Sequence, residues 1–247
     1  MASHRFLVDA PLSPGQAVDL GERNAHHALR VLRLRDGEPI VVFDGRGTRA
    51  HATLVHQGRA GALARIRVTE AGTGESPLHV TLAQCVSAAD RMDWTIEKAV
   101  ELGVAAIVPL LSERGTVRLD EERARKRHAR WQEIVVAACM QCGRDLLPQL
   151  APATPLRGWM AARDPSADGL GLVLSPRGEQ SLRTLPFPPP PARITLLVGP
   201  EAGLSPDEEA AAQRSGFVPL RFGPRVLRTE TAGPAVLAAL GALHGDL

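Results

Sequence analysis

Apolar residues follow two rhythms along the chain, and the change between them falls near residue 72. Before it, short β-prone runs are separated by turns such as Asp36-Gly37 and Gln57-Gly58. After it, apolar runs of strand length alternate with longer segments of helix length. The first rhythm predicts a small β domain, and the second predicts a largely parallel sheet with helices on both faces. The sequence therefore predicts two domains, residues 1–72 and residues 73–247.

In the first domain the pattern predicts several strands and one short helix. The helix is expected to begin at an Asn24 cap and to run through Leu32. The predicted strands are residues 5–8, 39–43, 50–55 and 62–68. Short strands joined by glycine-bearing turns predict a small β-barrel-like domain.

In the second domain strands and helices alternate. The predicted strands are residues 78–86, 105–111, 170–174, 194–198 and 217–221, and the predicted helices are residues 90–102, 121–142 and 156–162. Ser205-Pro206-Asp207-Glu208 offers an N-cap, a proline at the first helical position and acids near the positive end of a helix. A further helix is therefore expected to begin there, and a last apolar helix is expected after Arg228.

Two glycine-bearing loops leave the ends of predicted strands. Gly199-Pro200-Glu201-Ala202-Gly203 follows strand 194–198, and Phe222-Gly223-Pro224-Arg225 follows strand 217–221. Neither fits the dinucleotide fingerprint or the phosphate loop of nucleotide-binding proteins. Small ligands bind beyond the carboxyl ends of strands in open α/β sheets. The first loop alone fits a structural turn as well as a ligand loop, and the polar residues that follow the second strand favour the ligand loop.

Composition narrows the functional classes. Hydrophobic residues make up 44% of the chain, which supports a substantial core, whereas aromatic residues make up 3% and tyrosine is absent. An aromatic platform that stacks RNA bases is therefore not expected. Three cysteines are too few for a disulfide framework and indicate a reducing compartment. The sequence shows no signal peptide and no apolar run of membrane-spanning length, so a soluble cytoplasmic protein without a membrane partner is expected.

Cys139 and Cys142 have C-x-x-C spacing in a predicted helix. A zinc site needs a second pair of ligands at a matching spacing, and the sequence offers none. A redox pair favours the N-terminus of a helix, where the thiolate is stabilised. Two packed cysteines are therefore predicted, and no metal site is expected.

Positive side chains occur together in the sequence of the small domain. They are Arg30, Arg33 and Arg35 beside His26 and His27, with Arg46 and Arg49 soon after. Arginine side chains make many of the backbone contacts to nucleic acid, so these residues fit a phosphate-contacting face. An ordinary solvated surface explains the same pattern equally well, and both interpretations remain open.

Several motifs occur in the order typical of one family. They are Arg5-Phe6, His27 with Leu29-Arg30-Val31-Leu32-Arg33, Asp44-Gly45-Arg46-Gly47, Lys98 with Glu101-Leu102-Gly103-Val104, Ser112-Glu113-Arg114, Gln141-Cys142-Gly143-Arg144, Gly199-Pro200-Glu201-Ala202-Gly203 and Arg225-Val226-Leu227-Arg228-Thr229-Glu230-Thr231-Ala232. With these the chain resembles the RsmE family of SPOUT methyltransferases, which use S-adenosylmethionine (SAM) to methylate N3 of one uridine in 16S ribosomal RNA. Ala202 and Leu204 stand where the family usually has glycine and phenylalanine.

The resemblance implies a fold and partners that the periodicity does not give. It implies an α/β fold of the SPOUT type, with a largely parallel sheet and a C-terminal trefoil knot, preceded by a small PUA-like β-barrel domain that binds RNA. It also implies a homodimer that acts on 16S rRNA in the small ribosomal subunit. Knots are nearly absent from proteins, so pattern reasoning alone would have excluded one.

The resemblance also implies roles for individual residues. Catalytic roles fall to Arg228 and Arg144, which position the RNA or stabilise the uracil oxygen, and to Glu230, which accepts a proton or orients Arg228. An alternative role for Glu230 is to satisfy the amides at a helix N-terminus. The SAM site is expected at Leu174, Leu197, Gly199, Pro200, Glu201, Gly203, Leu220, Gly223, Val226, Leu227 and Thr231. RNA contacts are expected at Arg5, His27, Arg30, Arg33 and Arg46.

Three other functions compete with N3 methylation of uridine. Related knotted enzymes methylate the ribose 2′-oxygen, and identification of the methylated nucleoside separates the two reactions. A noncatalytic RNA-binding protein with a degenerate cofactor loop would fail to bind SAM. A nucleotide-dependent enzyme with a Rossmann-like sheet is disfavoured because the dinucleotide fingerprint is absent.

Overall fold

A computed structural model of the chain describes residues 4–58, 60–189 and 191–247. The chain forms two compact units. The first holds the chain up to Glu75 together with Val136–Leu147, and the second holds Ser76–Val135 and Pro148–Leu247. The first unit thus includes a segment from the middle of the chain, which a local sequence pattern does not assign to it.

The first unit is built on a mixed five-stranded sheet with strand order β1-β3-β4-β5-β2. Strand β1 runs parallel to β3, and the other neighbours are antiparallel. The strands are β1 (His4–Leu7), β2 (Ala17–Asp19), β3 (Pro39–Phe43), β4 (Thr48–Gln57) and β5 (Gly61–Ala71). The predicted strands are confirmed, and β2 is an addition that was too short to be predicted.

The helix of the first unit begins earlier than predicted. Helix α1 (Gly21–His26) follows Leu20, whose side chain makes no capping hydrogen bond, and continues into a π-helical turn over His27–Val31. The prediction of a cap at Asn24 was wrong, because this side chain donates to the carbonyl of Leu7 at 2.7 Å instead. The π turn closes through the amide of Leu32, which donates to His27 O at 2.9 Å.

The core of the first unit lies between this helical segment and one face of the sheet. Alternate residues of β4 and β5, such as Leu54 and Ile66, are buried in it, as the two-residue period of a half-buried sheet requires. Phe6 from β1 joins the same cluster. Met140, from the part of a long helix that belongs to this unit, packs against the cluster.

The second unit contains a seven-stranded sheet that is parallel throughout the described strands. The strand order is β12-β10-β11-β6-β7-β8, and β9 pairs with β7. The strands are β6 (Leu78–Cys85), β7 (Ala106–Leu111), β8 (Gln149–Leu150), β9 (Thr154–Pro155), β10 (Leu170–Leu174), β11 (Ala192–Val198) and β12 (Phe217–Leu220). The predicted parallel α/β sheet is confirmed, and the carboxyl ends of β10, β11 and β12 lie side by side.

The helices of the second unit follow the predicted pattern. They are α2 (Ala89–Glu101), α3 (Glu121–Cys142, whose end belongs to the first unit), α4 (Leu156–Ala161), α5 (Pro165–Asp168), α6 (Pro206–Arg214) and α7 (Thr229–His244). The predicted start of α6 is confirmed as a capping box: Ser205 Oγ accepts from the amide of Glu208 at 3.2 Å, and Glu208 Oε2 accepts from the amide of Ser205 at 2.8 Å. A well-formed cap fixes the point at which the loop before α6 ends.

The three cysteines differ in burial. All three are free thiols; Cys139 is buried, and Cys142 is half-buried. Burial raises the pKa of the Cys139 thiol to about 12. Within residues 4–58, 60–189 and 191–247, no group of three or more His, Cys, Asp or Glu side chains is arranged to hold a metal ion. None of the helices in these ranges is both long and apolar enough to span a membrane.

Candidate active site

A cleft of about 740 Å³ lies at the carboxyl ends of the parallel strands of the second unit. Leu174, Val198 and Leu220, the last residues of β10, β11 and β12, form its floor. The loop that follows β11 and the loop that follows β12 form its walls. This is the position in which open α/β sheets bind small ligands.

The loop after β11 makes a tight turn. The amide of Gly203 donates to Pro200 O at 2.8 Å, and Gly203 has a φ of +72°, a conformation that favours glycine. Gly199 packs closely on Leu204, because a Cβ at Gly199 would lie 3.2 Å from Leu204 Cγ. Ala202 is not among the residues with positive φ. The loop therefore accommodates alanine at this position without backbone strain.

The Ser112-Glu113-Arg114 motif supports this loop from behind. Buried Glu208 accepts the amide of Glu113 at 2.8 Å, and Ser205 Oγ donates to Glu113 Oε2 at 2.8 Å. Arg114 Nη1 donates to Leu204 O at 3.5 Å. The motif thus fixes the end of the loop and the first turn of α6.

The loop after β12 is more exposed. Gly223 has a φ of +76°, and Val226 is 79% exposed although it lines the cleft. The strand end that precedes the loop is held by the segment after β10: the amide of Ser175 donates to Leu220 O at 3.0 Å, and the amide of Arg221 donates to Gln180 O at 2.8 Å. The loop thus leaves a fixed base and reaches α7 at Thr229.

A hydrogen-bonded chain joins the two loops. Thr229 Oγ1 donates to Gly199 O at 2.6 Å and accepts from Gln84 Nε2 at 3.0 Å. Gln84 lies at the end of β6 and is fully buried. Gln84 was not predicted as a site residue, because strands that are buried on both faces show no alternation to mark a polar position.

Arg91 places a positive charge between two carboxylates of the cleft. Its Nη1 atom lies 3.2 Å from Glu201 Oε1, and its Nε atom lies 3.7 Å from Glu230 Oε1. The Glu230 side chain is 17% exposed, and its Oε2 atom is buried without a hydrogen-bond partner among the described residues. Sequence reasoning missed Arg91, since only the packing of α2 beside α7 brings it here.

Most of the residues that the resemblance assigned to SAM line this one cleft. They are Leu174, Gly199, Pro200, Glu201, Gly203, Leu220, Gly223, Val226 and Leu227. Leu197 and Thr231 do not line it. Leu197 is fully buried in the core beside Val173, and the neighbouring Val198 lines the cleft in its place. Thr231 is exposed on the first turn of α7.

The three residues assigned to catalysis do not share one unit. Arg228 and Glu230 line the cleft of the second unit. Arg144 belongs to the first unit, where its side chain is 5% exposed. Its Nε and Nη2 atoms donate to the carboxylate of Glu75 at 3.2 and 2.6 Å. A buried, doubly bonded guanidinium of this kind holds structure in the unit that contains it.

The residues assigned to RNA binding differ in solvent exposure and in their contacts within the first unit. Arg30 and Arg33 are exposed, and Arg46 is 71% exposed beside Asp9 at 2.9 Å. Arg5 is 13% exposed, with its Nη2 atom 2.6 Å from Asp145 Oδ1, and His27 packs edge-on against Phe6. The first three therefore offer accessible positive charge, whereas Arg5 and His27 are engaged within the unit.

Cys85 lies at the end of β6 and is fully buried. Burial raises the pKa of its thiol to about 12, and the nearby Glu208 and Glu201 carboxylates add to this shift. At neutral pH the side chain is a protonated thiol, so it does not serve as a nucleophile for the cleft.

Comparison with known families identifies the domains. A family model described as an RNA methyltransferase domain matches residues 74–241, and one described as an RNA methyltransferase PUA domain matches residues 20–67. Among curated relatives, the ribosomal RNA small subunit methyltransferase E of Mycobacterium tuberculosis is 31% identical over 98% of this chain and 93% of its own length. The protein of the same name from Synechocystis sp. is 34% identical over 96% of this chain and 77% of its own length.

Two solved methyltransferase structures are similar to this chain over its whole length. The ribosomal RNA small subunit methyltransferase E of Neisseria gonorrhoeae, bound to S-adenosylmethionine, matches with a TM-score of 0.92 and 41% identity, and 100% of both chains is covered. A putative methyltransferase of Legionella pneumophila, in complex with the bound cofactor SAM, matches with a TM-score of 0.94 and 35% identity over 100% of both chains. The fold and its two domains are thus shared with proteins that hold SAM.

Proposed function

The chain belongs to the RsmE family of ribosomal RNA methyltransferases, and from this membership we propose that it transfers the methyl group of SAM to N3 of a uridine in 16S rRNA. The observation that carries the proposal is the convergence of both glycine-bearing loops on one cleft. Two relatives that are 35% and 41% identical over their whole length bind SAM.

The residues of the cleft suit this cofactor. The volume of about 740 Å³ is in the range of ~300–1,000 Å³ typical of small-molecule sites. Glycines let the backbone approach a ligand, and Leu174, Leu220 and Leu227 supply apolar surface. The unpartnered carboxylate oxygen of Glu230 suits a ligand that carries positive charge on sulfur and nitrogen.

Bound in this cleft, SAM would supply an electrophilic methyl group. The proton on uracil N3 must leave so that the nitrogen lone pair can form the new N–C bond. The bond between the methyl carbon and sulfur would break at the same time, its electron pair would stay on sulfur, and S-adenosylhomocysteine would be the leaving group. Glu230 accepts that proton, because the residue lines the cleft and its Oε2 atom has no hydrogen-bond partner among the described residues. The guanidinium of Arg228, also in the wall, stabilises the negative charge that develops on the uracil oxygens.

We propose that the substrate is 16S rRNA within the small ribosomal subunit, bound in the cytoplasm. The accessible arginines of the first unit, Arg30, Arg33 and Arg46, suit contacts to the phosphate backbone. The proposal includes a homodimer and a trefoil knot around the loop after β12, as in the family. Exposed apolar side chains on the second unit, such as Trp94 and Leu243, support an interface between copies.

The test is methyl transfer from labelled SAM to small ribosomal subunits that lack their native modifications. The product nucleoside is identified by mass spectrometry, and 3-methyluridine from one site in 16S rRNA is expected. A ribose-methylated nucleoside would support SAM as the methyl donor but would contradict N3 of uridine as the methylated atom. Binding of SAM without transfer to the small subunit would leave the enzyme class standing and direct the search to another RNA. Failure to bind SAM would favour a noncatalytic RNA-binding protein.

The role of Glu230 is tested in the same assay with Glu230→Gln, which is expected to lower kcat by at least ~100-fold because the amide cannot accept the proton. Glu209→Gln is the matched control, since Glu209 also lines the cleft but pairs with Arg177 at 2.7 Å. Full turnover by Glu230→Gln would remove the assignment of the base.

A further inference from the structure

The buried side chain of Gln84 donates to Thr229, the residue at which the second loop of the cleft reaches α7. We propose that Gln84 is a positioning residue for SAM, which acts through Thr229 on the carbonyl of Gly199. The inference rests on the proposed function, because it concerns the same cleft. Gln84 itself does not line the cleft, whereas Thr229 and Gly199 do.

The geometry of the three groups is closely defined. Gln84 is fully buried, and its Nε2 atom lies 3.0 Å from Thr229 Oγ1. Thr229 is 6% exposed, and its Oγ1 atom lies 2.6 Å from Gly199 O. Both distances are well within hydrogen-bonding range. The bond between Gln84 and Thr229 is buried, and the bond between Thr229 and Gly199 is partly buried at the edge of the cleft.

The number of available protons fixes the direction of the chain. A threonine hydroxyl has one proton to donate. Because the amide nitrogen of Gln84 donates to Thr229 Oγ1, the hydroxyl proton is committed to Gly199 O. Gln84 also donates to Cys85 O at 3.3 Å, so both protons of its amide group are directed. A side chain that accepted from Thr229 instead would draw the hydroxyl proton away from Gly199.

The carbonyl of Gly199 sets the orientation of the peptide that opens the first loop. The next residue is Pro200, so this peptide has no N–H group and its carbonyl is its only backbone hydrogen-bonding group. A rotation of the peptide would displace Pro200 and the turn that Gly203 closes. Thr229 is also the first residue of α7, so the same bond fixes the end of the second loop.

Gly233 of α7 packs closely against the Gln84 side chain. A Cβ at Gly233 of α7 would lie 3.2 Å from Gln84 Oε1 and 3.2 Å from Leu82 Cδ1. The Oε1 atom has no hydrogen-bond partner among the described residues. A buried amide with an unsatisfied oxygen costs stability, and the hydrogen bonds that its nitrogen donates to Thr229 and to Cys85 O offset part of that cost.

The test compares near-isosteric variants that remove one donor at a time. Thr229→Val removes the hydroxyl, Thr229→Ser keeps it, and Gln84→Met removes the amide while preserving length. The dissociation constant of SAM is measured by calorimetry for each variant and for the double variant Gln84→Met/Thr229→Val. The KM values for SAM and for the small subunit are measured separately, and circular dichroism checks folding.

We expect Thr229→Val and Gln84→Met each to raise the dissociation constant of SAM by about tenfold, the effect of one buried hydrogen bond. The double variant should bind no more weakly than the weaker single variant, because both act through one bonded chain. The KM for SAM should rise and the KM for RNA should not, and Thr229→Ser should bind nearly as the wild type does.

Wild-type affinity in Thr229→Val, even with reduced thermal stability, would show that the chain only holds the fold and would overturn the inference. Effects that multiply in the double variant would also overturn it, since each residue would then act alone. If Gln84→Met does not fold, Thr229→Val against Thr229→Ser decides the question. Failure of the wild type to bind SAM contradicts the proposed function, whereas wild-type binding with unaffected variants contradicts only the role of Gln84.

Discussion

Arg144 donates a hydrogen bond to each oxygen of the Glu75 carboxylate. Its Nη2 atom lies 2.6 Å from Glu75 Oε2, and its Nε atom lies 3.2 Å from Glu75 Oε1. The guanidinium is 5% exposed, and the carboxylate is 32% exposed. The amino acid that follows, Asp145, is buried and accepts from Arg5 at 2.6 Å. This ion-pair cluster ties the segment after α3 into the first unit.

We therefore expect the main contribution of Arg144 to be to the free energy of unfolding and not to catalysis. Arg144→Met should lower the free energy of unfolding by about 2 kcal/mol, because it leaves the Glu75 carboxylate without its buried partner. Urea denaturation followed by circular dichroism measures this change. Glu75→Gln keeps a neutral hydrogen-bond acceptor and should cost less. A stable Arg144→Met protein without methyl transfer would contradict the structural role.

Arg91 should affect turnover far more than stability. Its ion pairs with Glu201 and Glu230 are partly exposed, so Arg91→Met should change the free energy of unfolding by less than ~1 kcal/mol. It should lower kcat/KM by about tenfold, since Glu201 and Glu230 lose the charge that holds them in place. Arg130→Met is the matched control, because Arg130 pairs with Asp93 at 2.6 Å and does not line the cleft. Equal effects of the two substitutions on kcat/KM would contradict this role.

Arg33 occupies a backbone conformation that suits glycine better than arginine. Its φ is +55°, and it ends the π-helical turn, with the amide of Leu34 donating to Ala28 O at 2.9 Å. Arg33→Gly should raise the free energy of unfolding by ~0.5–1 kcal/mol and should weaken binding to 16S rRNA. Arg35→Gly, at an exposed residue without positive φ, should not stabilise the fold.

Thermal denaturation and RNA filter binding of Arg33→Gly measure the two effects. A strained residue at a binding surface shows opposite changes in stability and in function. Unchanged RNA affinity together with increased stability would mean that the arginine serves no contact to RNA. Decreased stability would contradict the backbone argument itself.

The three cysteine thiols should differ in their rate of alkylation at pH 8. Burial raises the pKa values of Cys85 and Cys139 to about 12, so at pH 8 only ~1 in 10,000 of either thiol is ionised. Cys142 is half-buried and should be alkylated first by iodoacetamide. Peptide mass spectrometry after brief treatment at pH 8 identifies the modified residue. Rapid modification of Cys139 under these conditions would contradict its burial.

Hydrophobic pattern predicted much of the fold, because its signals are local. The bounds of β3 (Pro39–Phe43), β10 (Leu170–Leu174) and α3 (Glu121–Cys142) agree with the predicted ones. The start of α6 could be predicted, because the capping residues Ser205 and Glu208 lie within one helical turn. The start of α1 could not be predicted, because Leu20 has no capping side chain.

The residues of the site that belong to sequence motifs were predicted, whereas the residues that tertiary packing brings to the site were missed. The resemblance placed the residues of both loops at a SAM site, and the structure gathers most of them around one cleft. Leu197 and Val198 could not be distinguished, since β11 is buried on both faces and shows no alternation. Gln84 and Arg91 reach the site from β6 and α2, at positions that no local pattern marks.

The most direct test of the account is a calorimetric titration with SAM of the wild type and of a variant whose cleft is filled. Leu174→Trp adds bulk at the floor of the cleft, and Val68→Trp is the matched control at a residue of β5 that is 51% exposed and does not line the cleft. We expect one SAM per chain for the wild type and for Val68→Trp, and affinity at least ~100-fold weaker for Leu174→Trp. Binding that Leu174→Trp leaves unchanged would contradict the assignment of this cleft to the methyl donor.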